Sequence, residues 1–370
     1  MKKCLLGLLA VFLICTVSVT ATATEAEGRN PREYITTAEQ EASIASIINI
    51  DDGMLYSMDY TADYKLDEML AAGVDDLESL AAFVRQSLLN GCNEEVGAIN
   101  PGCSAFTAQS PDGAILFGRN FDYDNTDTTA ILVRTTPENG YASIALAPAG
   151  MLGWYGKGSL DDGTTDLSLL AAMPYFILDG VNEKGLAITV LELEYDHTRQ
   201  DTGKPVISTT VAMRLALDRA ANVDEAIALF ESYDMVSVMQ EYDYHFFLAD
   251  ATGRAVVLEY CDNVLYVLDD TYVTNFYLEP SHDMPEDYDK RYPILQSVLS
   301  FRENVLTPQQ AMCLLQLVGR EAPDEFTTIT QWSVLYDLTN LNATVVIKQN
   351  LDKQFTFSIN DISGHYQIGQ

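Results

Sequence analysis

Cys103 is followed by an arginine 16 residues on, Arg119, and by an aspartate 19 residues on, Asp122. Those residue types can carry out nucleophilic chemistry together. A thiol attacks as its thiolate, and a guanidinium beside it favours that form. A carboxylate at the same level can accept hydrogen bonds from a free α-amino group and hold it in place. Ser110-Pro111-Asp112-Gly113 carries Pro and Gly where a tight turn needs them. The runs Ser104–Gln109 and Ala114–Gly118 on either side read as strands, so the returning strand brings Arg119 and Asp122 back toward Cys103. A disulfide is the rival use of this thiol, because Cys92 lies only 11 residues upstream. A bridge, however, requires neither charge.

The elements that must hold these residues follow from periodicity. Short alternating or apolar runs at 129–135, 141–147, 175–179 and 186–194 read as strands, the last two joined by a hairpin over Gly180–Gly185. Helices are expected over 208–222 and 223–233, the second capped by Asn222. A meander over 244–249, 254–260 and 263–268 precedes two more helices, 290–301 and 308–318, the latter with Thr307 as cap and Pro308 at its first position. Strands at 331–336, 343–348 and 354–358 close the chain. Strands in antiparallel hairpins and helices in pairs imply an α+β layering, with 103–370 as a single domain.

Upstream, residues 1–23 have the layout of a secretory signal: Lys2-Lys3, an apolar run from Cys4 to Val19, and Ala21-Thr22-Ala23 as a small-residue cleavage site. Export is therefore expected, with no membrane span once the signal is gone. Residues 24–48 read as a loosely held leader, and 52–89 as a strand or turn followed by one or two amphipathic helices. Asn90–Gly102 reads as an exposed connection. The formal charge of −33 becomes −35 when Lys2 and Lys3 leave with the signal. A field of that sign repels phosphate backbones, which argues against a nucleic-acid partner. Cys92, Cys103, Cys261 and Cys313 match no zinc spacing, and His197, His245, His282 and His365 stand singly, so no metal and no cofactor are expected.

The block from Cys103 to Asp122 resembles the choloylglycine hydrolase family, the linear-amide hydrolases that include bile salt hydrolases and penicillin V acylases. The family's Cys, Arg and Asp follow the same intervals. Asn182-Glu183-Lys184-Gly185-Leu186 is similar to the family's N-E-K-G-L hairpin, and Val273-Thr274-Asn275 resembles the stretch bearing its second asparagine. The resemblance covers roughly residues 103–348. It implies a four-layer αββα sandwich of the N-terminal-nucleophile type. Two departures stand out: Asn275 is followed by Phe276 rather than by the Asn-Pro pairing of the family, and only 15 residues separate Asn275 from Arg291, the position taken for the catalytic arginine.

The resemblance further implies cleavage between Gly102 and Cys103, which removes residues 24–102 as a pro-segment and frees an α-amino group. Cys103 would then be the nucleophile, Arg119 its thiolate partner and Asp122 the residue orienting the amine. Asn275 (through its side chain) and Asn182 (through its backbone N–H) would donate to the oxyanion, and Arg291 would support the network. Trp154 and Tyr155 are candidates to line an acyl pocket. The expected substrate is a small acyl amide: a conjugated bile salt, a penicillin V-like amide, an N-acyl amino acid or homoserine lactone, or a fatty acyl amide. Three alternatives remain open: acyl transfer on the same scaffold, a secreted binding protein with a Cys92–Cys103 bridge, and a cysteine peptidase using a distant histidine.

Overall fold

The computed structural model describes residues 34–370 except 90, 92–100, 124–127, 155, 157, 159, 161–162, 164, 194–196, 240–241, 280–288, 322–327 and 369–370, with side chains omitted at 101 and 367–368. The signal segment, Cys92, Tyr155 and His282 lie outside the described residues. The first elements among the described residues are α1 (Ala38–Ala45), β1 (Ile48–Asp51), β2 (Leu55–Tyr60), α2 (Leu66–Ala72) and α3 (Leu77–Phe83). Next come β3 (Pro101–Gln109), β4 (Ile115–Tyr123), β5 (Ala130–Thr135), β6 (Ser143–Pro148), β7 (Asp179–Asn182) and β8 (Ala187–Leu193). They lead to β9 (Val206–Ser208), α4 (Thr209–Arg219), α5 (Val223–Glu231), β10 (Asp234–Val236), β11 (Asp243–Ala249), β12 (Ala255–Cys261), β13 (Val264–Leu268) and β14 (Tyr272–Val273). The last elements are α6 (Arg291–Phe301), α7 (Pro308–Leu317), β15 (Ile329–Asp337), β16 (Asn342–Ile347), β17 (Lys353–Ser358) and β18 (Asp361–Ile368).

Most strands form two sheets. One has the order β1-β2-β5-β6-β7-β8-β11-β12-β13, the other β14-β3-β4-β15-β16-β17-β18. Alternation along β3 and β4 sends side chains to two different cores. Cys103, Ala105, Phe117 and Phe121 point between the sheets, where Trp332, Val334 and Tyr336 of β15 join them. Phe117 stacks on Phe247 of the opposite sheet at 5.2 Å between ring centroids. Phe106, Ala108 and Leu116 point the other way, onto Leu295 and Leu299 of α6 and Leu315 of α7. On the far side, α4 packs on β7 and β8. These contacts build the αββα sandwich.

Helix ends follow their capping residues. The Thr307 hydroxyl accepts from the Gln310 N–H while the Gln310 side chain accepts from the Thr307 N–H, and Asn222 caps α5 through the Glu225 N–H. Elsewhere the local reading is corrected. Residues 167–175 form 3-10 turns containing Pro174, and the strand expected over 175–179 instead begins at Asp179 and runs to Asn182. Pro101 and Gly102 are not in an exposed connection, because they open β3 and pair with Tyr123 and Asp122.

The segment ahead of Cys103 is built into the sandwich. Strand β2 pairs in parallel with β5, and β1 forms the edge beside it. Leu55, Tyr56, Met58 and Tyr60 are all fully buried. Burial of each such side chain contributes about 1.5–3 kcal/mol before entropy is counted. The Tyr60 hydroxyl donates to Ala171 O (2.8 Å), Tyr175 donates to Tyr64 O (2.6 Å), and Tyr64 donates to the Asp218 carboxylate (2.6 Å). Even within 24–48, read as loosely held, α1 is closed by a reciprocal Thr37–Gln40 cap and buries Ile44. Residues 31–370 cluster as one compact unit.

Candidate active site

The β3–β4 register explains how Cys103 meets its arginine. Cys103 stands opposite Phe121, so Arg119 is its diagonal neighbour on the same face. A long side chain spans that diagonal. Arg119 Nη2 lies 3.2 Å from Cys103 Sγ, while Nη1 donates to Asp179 Oδ2 at 2.8 Å. Both members of the Arg119–Asp179 pair are fully buried. Asp179 also accepts from the Tyr336 hydroxyl and from Trp332 Nε1. One carboxylate thereby fixes the guanidinium that faces the sulfur.

Asp122 stands opposite Gly102, level with the Gly102–Cys103 bond. Its Oδ2 accepts from Arg291 Nη1 (2.8 Å) and its Oδ1 from the Thr330 hydroxyl (2.6 Å); Arg320 Nε lies 3.7 Å from Oδ2. Arg291 opens α6 and binds Asp289 through Nε and Nη2, the latter at 2.6 Å, while Nη2 also donates to Asn275 Oδ1 at 2.8 Å. That same Oδ1 accepts the Cys103 N–H at 2.6 Å, and Asn275 Nδ2 gives one N–H to Glu192 O at 2.8 Å. Cys103, Arg119, Asp122, Asn275 and Arg291 therefore converge, although they lie on β3, β4, the segment after β14 and α6.

The segment bearing Asn275 is itself pinned. His245, fully buried on β11, places Nε2 2.8 Å from Thr274 O and Nδ1 2.9 Å from Glu259 Oε1. Glu259 also accepts the N–H groups of Leu278 and Glu279. Both ring nitrogens face oxygen, so the imidazole–carboxyl pair must keep a proton on each N···O line. This pair fixes the turn that delivers Asn275.

Asn182 is not part of the cluster. Its backbone N–H, expected to face an oxyanion, donates to Leu186 O at 3.0 Å within the hairpin. Its side chain donates to Leu217 O and Ala220 O at the end of α4 and accepts from the Lys184 and Leu186 N–H groups. The hairpin lies at one end of β8, and Glu192, which touches Asn275, lies five residues beyond Ala187. That separation is roughly 17 Å of strand. Asn182 is a hairpin residue. Trp154 follows a turn after β6 and is half-buried against the inter-sheet core; its N–H donates to Ala149 O.

Electrostatics in the uncut chain keep the thiol protonated. Burial pushes Cys103 up to about 11, with Arg119 pulling down and Asp122 pushing up. The nearby guanidinium therefore does not offset desolvation, contrary to the simplest reading of an arginine beside a thiol. Burial also raises Asp122, against the pull of Arg291 and Arg320. Burial acts the same way on Asp289, but the charge and hydrogen bonds of Arg291 outweigh it and bring Asp289 to about 2. Cys103 is a free thiol, as are Cys261 and Cys313. Among the described residues no group of three or more His, Cys, Asp or Glu converges as a metal site, and no helix is long and apolar enough to cross a membrane.

Sequence reasoning missed Asp179, Glu192, Asp289 and Arg320. Only Asp289 carried a local signal, lying two residues before Arg291 at the start of a helix. Asp179 and Glu192 reach the site from the opposite sheet, and Arg320 through its bonds to Thr328 and Thr330, all across long chain separations.

Comparison with known proteins points the same way. The model of the linear amide C-N hydrolases, choloylglycine hydrolase family, matches residues 103–297. A penicillin V acylase of Pectobacterium atrosepticum is 35% identical over 94 residues, which are 23% of this chain and a quarter of that protein. Among solved structures, a variant of the conjugated bile acid hydrolase of Clostridium perfringens superposes with a TM-score of 0.52 at 15% identity, over 72% of this chain and 98% of that one. Penicillin V acylase of Agrobacterium tumefaciens gives a TM-score of 0.50 at 17% identity, over 70% and 86%. These likenesses place the sandwich in the N-terminal-nucleophile hydrolase fold. With the family model covering more than half of its residues, the chain belongs to the linear amide C-N hydrolases of the choloylglycine hydrolase family.

Proposed function

We propose that this protein is exported, is cut between Gly102 and Cys103 by its own thiol, and then hydrolyses the linear amide bond of an N-acyl compound through a thioester on Cys103. The observation that carries the reading is the cluster itself. Arg119 faces Sγ, and Asn275 holds the nitrogen that cleavage would free.

In the cutting step Sγ bonds to the Gly102 carbonyl carbon, the C–N bond breaks, and the thiol proton passes to the Cys103 nitrogen. Water then releases Gly102 as a carboxylate. The new α-amino group has a reference pKa of about 8, so near neutrality it can take the proton of its own thiol. In turnover Sγ attacks the substrate carbonyl carbon, the amine departs with that proton, and water frees the acid. The second N–H of Asn275 Nδ2 is the side-chain donor for the oxyanion. Removing one such donor costs about 3–4 kcal/mol in comparable sites. Asp122 and Arg291 orient the amine through Asn275.

The names of the relatives make conjugated bile acids and penicillin V the first acyl amides to assay. The buried β2 strand and tyrosine hydroxyl bonds support a leader that stays with 103–370 after the cut. Intact mass under native and denaturing conditions tests the whole reading. Two polypeptides, one starting at Cys103, should separate only on denaturation. Cys103→Ala should leave one uncut chain with no turnover of any acyl amide. A single active polypeptide that retains its leader sequence would sink the proposal.

A further inference from the structure

Gly102 is the self-substrate's acyl residue, and its surroundings carry information about what the site accepts. Gly102 does not adopt a positive φ, so backbone conformation does not require glycine there. Space does. A Cβ at this position would lie 2.9 Å from Arg320 Nη1 and 3.3 Å from both Arg320 Cζ and Asp122 Cβ. Real Cβ atoms essentially never come within 3.0 Å of a neighbour. An arginine head often swings aside, but this one is held. Its Nη1 donates to the Thr328 hydroxyl, and its Nε faces Asp122 at 3.7 Å. Its backbone exchanges hydrogen bonds with Thr330 and accepts one from Gln349.

We propose that Arg320 is a specificity-determining residue that limits the acyl group at its α-carbon, so that the preferred substrates are amides of acids with an unbranched α-methylene. The argument rests on the thioester chemistry of the preceding section. Self-cleavage and turnover pass through the same kind of thioester on Cys103 Sγ. The atom bonded to the thioester carbonyl is Gly102 Cα in one case and the α-carbon of the substrate in the other. A substituent on that carbon in the direction of an L-side chain meets the Arg320 guanidinium. The same contact accounts for glycine at position 102, and it disfavours acyl groups that are L-amino-acid residues with side chains.

The test uses the full-length protein after its own maturation and two amides of one amine. One carries a hexanoyl group; the other is offered as each enantiomer of 2-methylhexanoyl. The hexanoyl amide should exceed at least one methyl enantiomer by about tenfold in kcat/KM, the scale of an overpacking penalty. Arg320→Ala should narrow that ratio to about threefold or less. In parallel, intact mass should show Gly102→Ala cut about tenfold more slowly than the wild type, with the rate recovering in Gly102→Ala/Arg320→Ala. Wild-type protein that hydrolyses all three amides equally, or Gly102→Ala cut at the wild-type rate, would overturn the assignment. The wild-type measurement stands even if Arg320→Ala fails to fold. Failure of the parent reading looks different: wild-type protein would then be uncut and inert toward every amide.

Discussion

Replacing Arg119 by methionine separates what this residue does for the fold from what it does for the sulfur. The substitution keeps most of the side-chain length and removes the cation. Asp179 is then left fully buried with Tyr336 and Trp332 as donors and no counter-charge. Breaking one side of a buried pair costs about 3–5 kcal/mol, whereas replacing both sides by apolar groups is often neutral. In a Cys103→Ala background, which isolates folding from cutting, Arg119→Met should therefore lower the urea unfolding free energy by about 3–5 kcal/mol. Adding Asp179→Leu should restore most of it. The sulfur responds differently. The thiol already stands at about 11 in the uncut chain, with burial as the main cause and Arg119 as the first group opposing it. At pH 8 such a thiol is ionised about one part in a thousand. Losing Arg119 reduces that fraction further, so when the same two substitutions are made with Cys103 intact, its alkylation by iodoacetamide should slow in both, and neither should hydrolyse acyl amides at a useful rate. If the double variant recovers activity along with stability, Arg119 has no role beyond balancing Asp179. If Arg119→Met is as stable as its parent, the ion-pair argument fails.

Other outcomes follow from the same contacts. Asp289 falls from its ordinary value to about 2 in the folded protein, so it contributes stability that is fully present above about pH 4 and is lost as pH drops toward 2. Asp289→Asn should remove about 2 kcal/mol of that acid-side slope in urea titrations between pH 4 and 2, and an unchanged slope would count against the Arg291 pairing. Asn182→Ala should destabilise by about 2–4 kcal/mol through its lost hairpin and α4 bonds, yet leave kcat per folded molecule within about twofold; a large fall in kcat at unchanged stability would return Asn182 to the site. Glu259→Leu strips acceptors from His245, Leu278 and Glu279 and should cost about 3 kcal/mol by thermal melt. Glu259→Gln, whose amide can donate to a neutral His245 ring, should recover part of that loss.

Much of this architecture was legible where local chemistry decides it. The Ser110–Gly113 turn, the Thr307 and Asn222 caps and the strand runs at 114–118 and 331–336 each act within a few residues, so the sequence exposes them directly. Arg119 and Asp122 were legible for the same reason, since a hairpin converts chain spacing into register. Asn182 shows the limit of that logic. Its hairpin was recognisable, but Asn182 closes β7 at the turn, and it is the other end of β8, at Glu192, that reaches Asn275 beside Cys103. Arg320 and Asp179 could not be read at all, because their approach depends on the seating of β15 and on the two sheets packing face to face. The strand and helices over 52–89 were legible, but residues 24–48 misled: α1 takes its order from packing on β2, which in turn is held by β5 about 75 residues further along.

That partner also shapes how the protein can be made. With β2 absent, the parallel edge of β5 would present unpaired backbone groups along Ala130–Thr135, five of whose six side chains are buried in the intact fold. An open, apolar strand edge is a template for joining other chains. A gene trimmed to begin at Cys103 would therefore yield a polypeptide inclined to aggregate, however complete its catalytic groups. The sensible unit of production is the whole chain, with any cut left to come after folding.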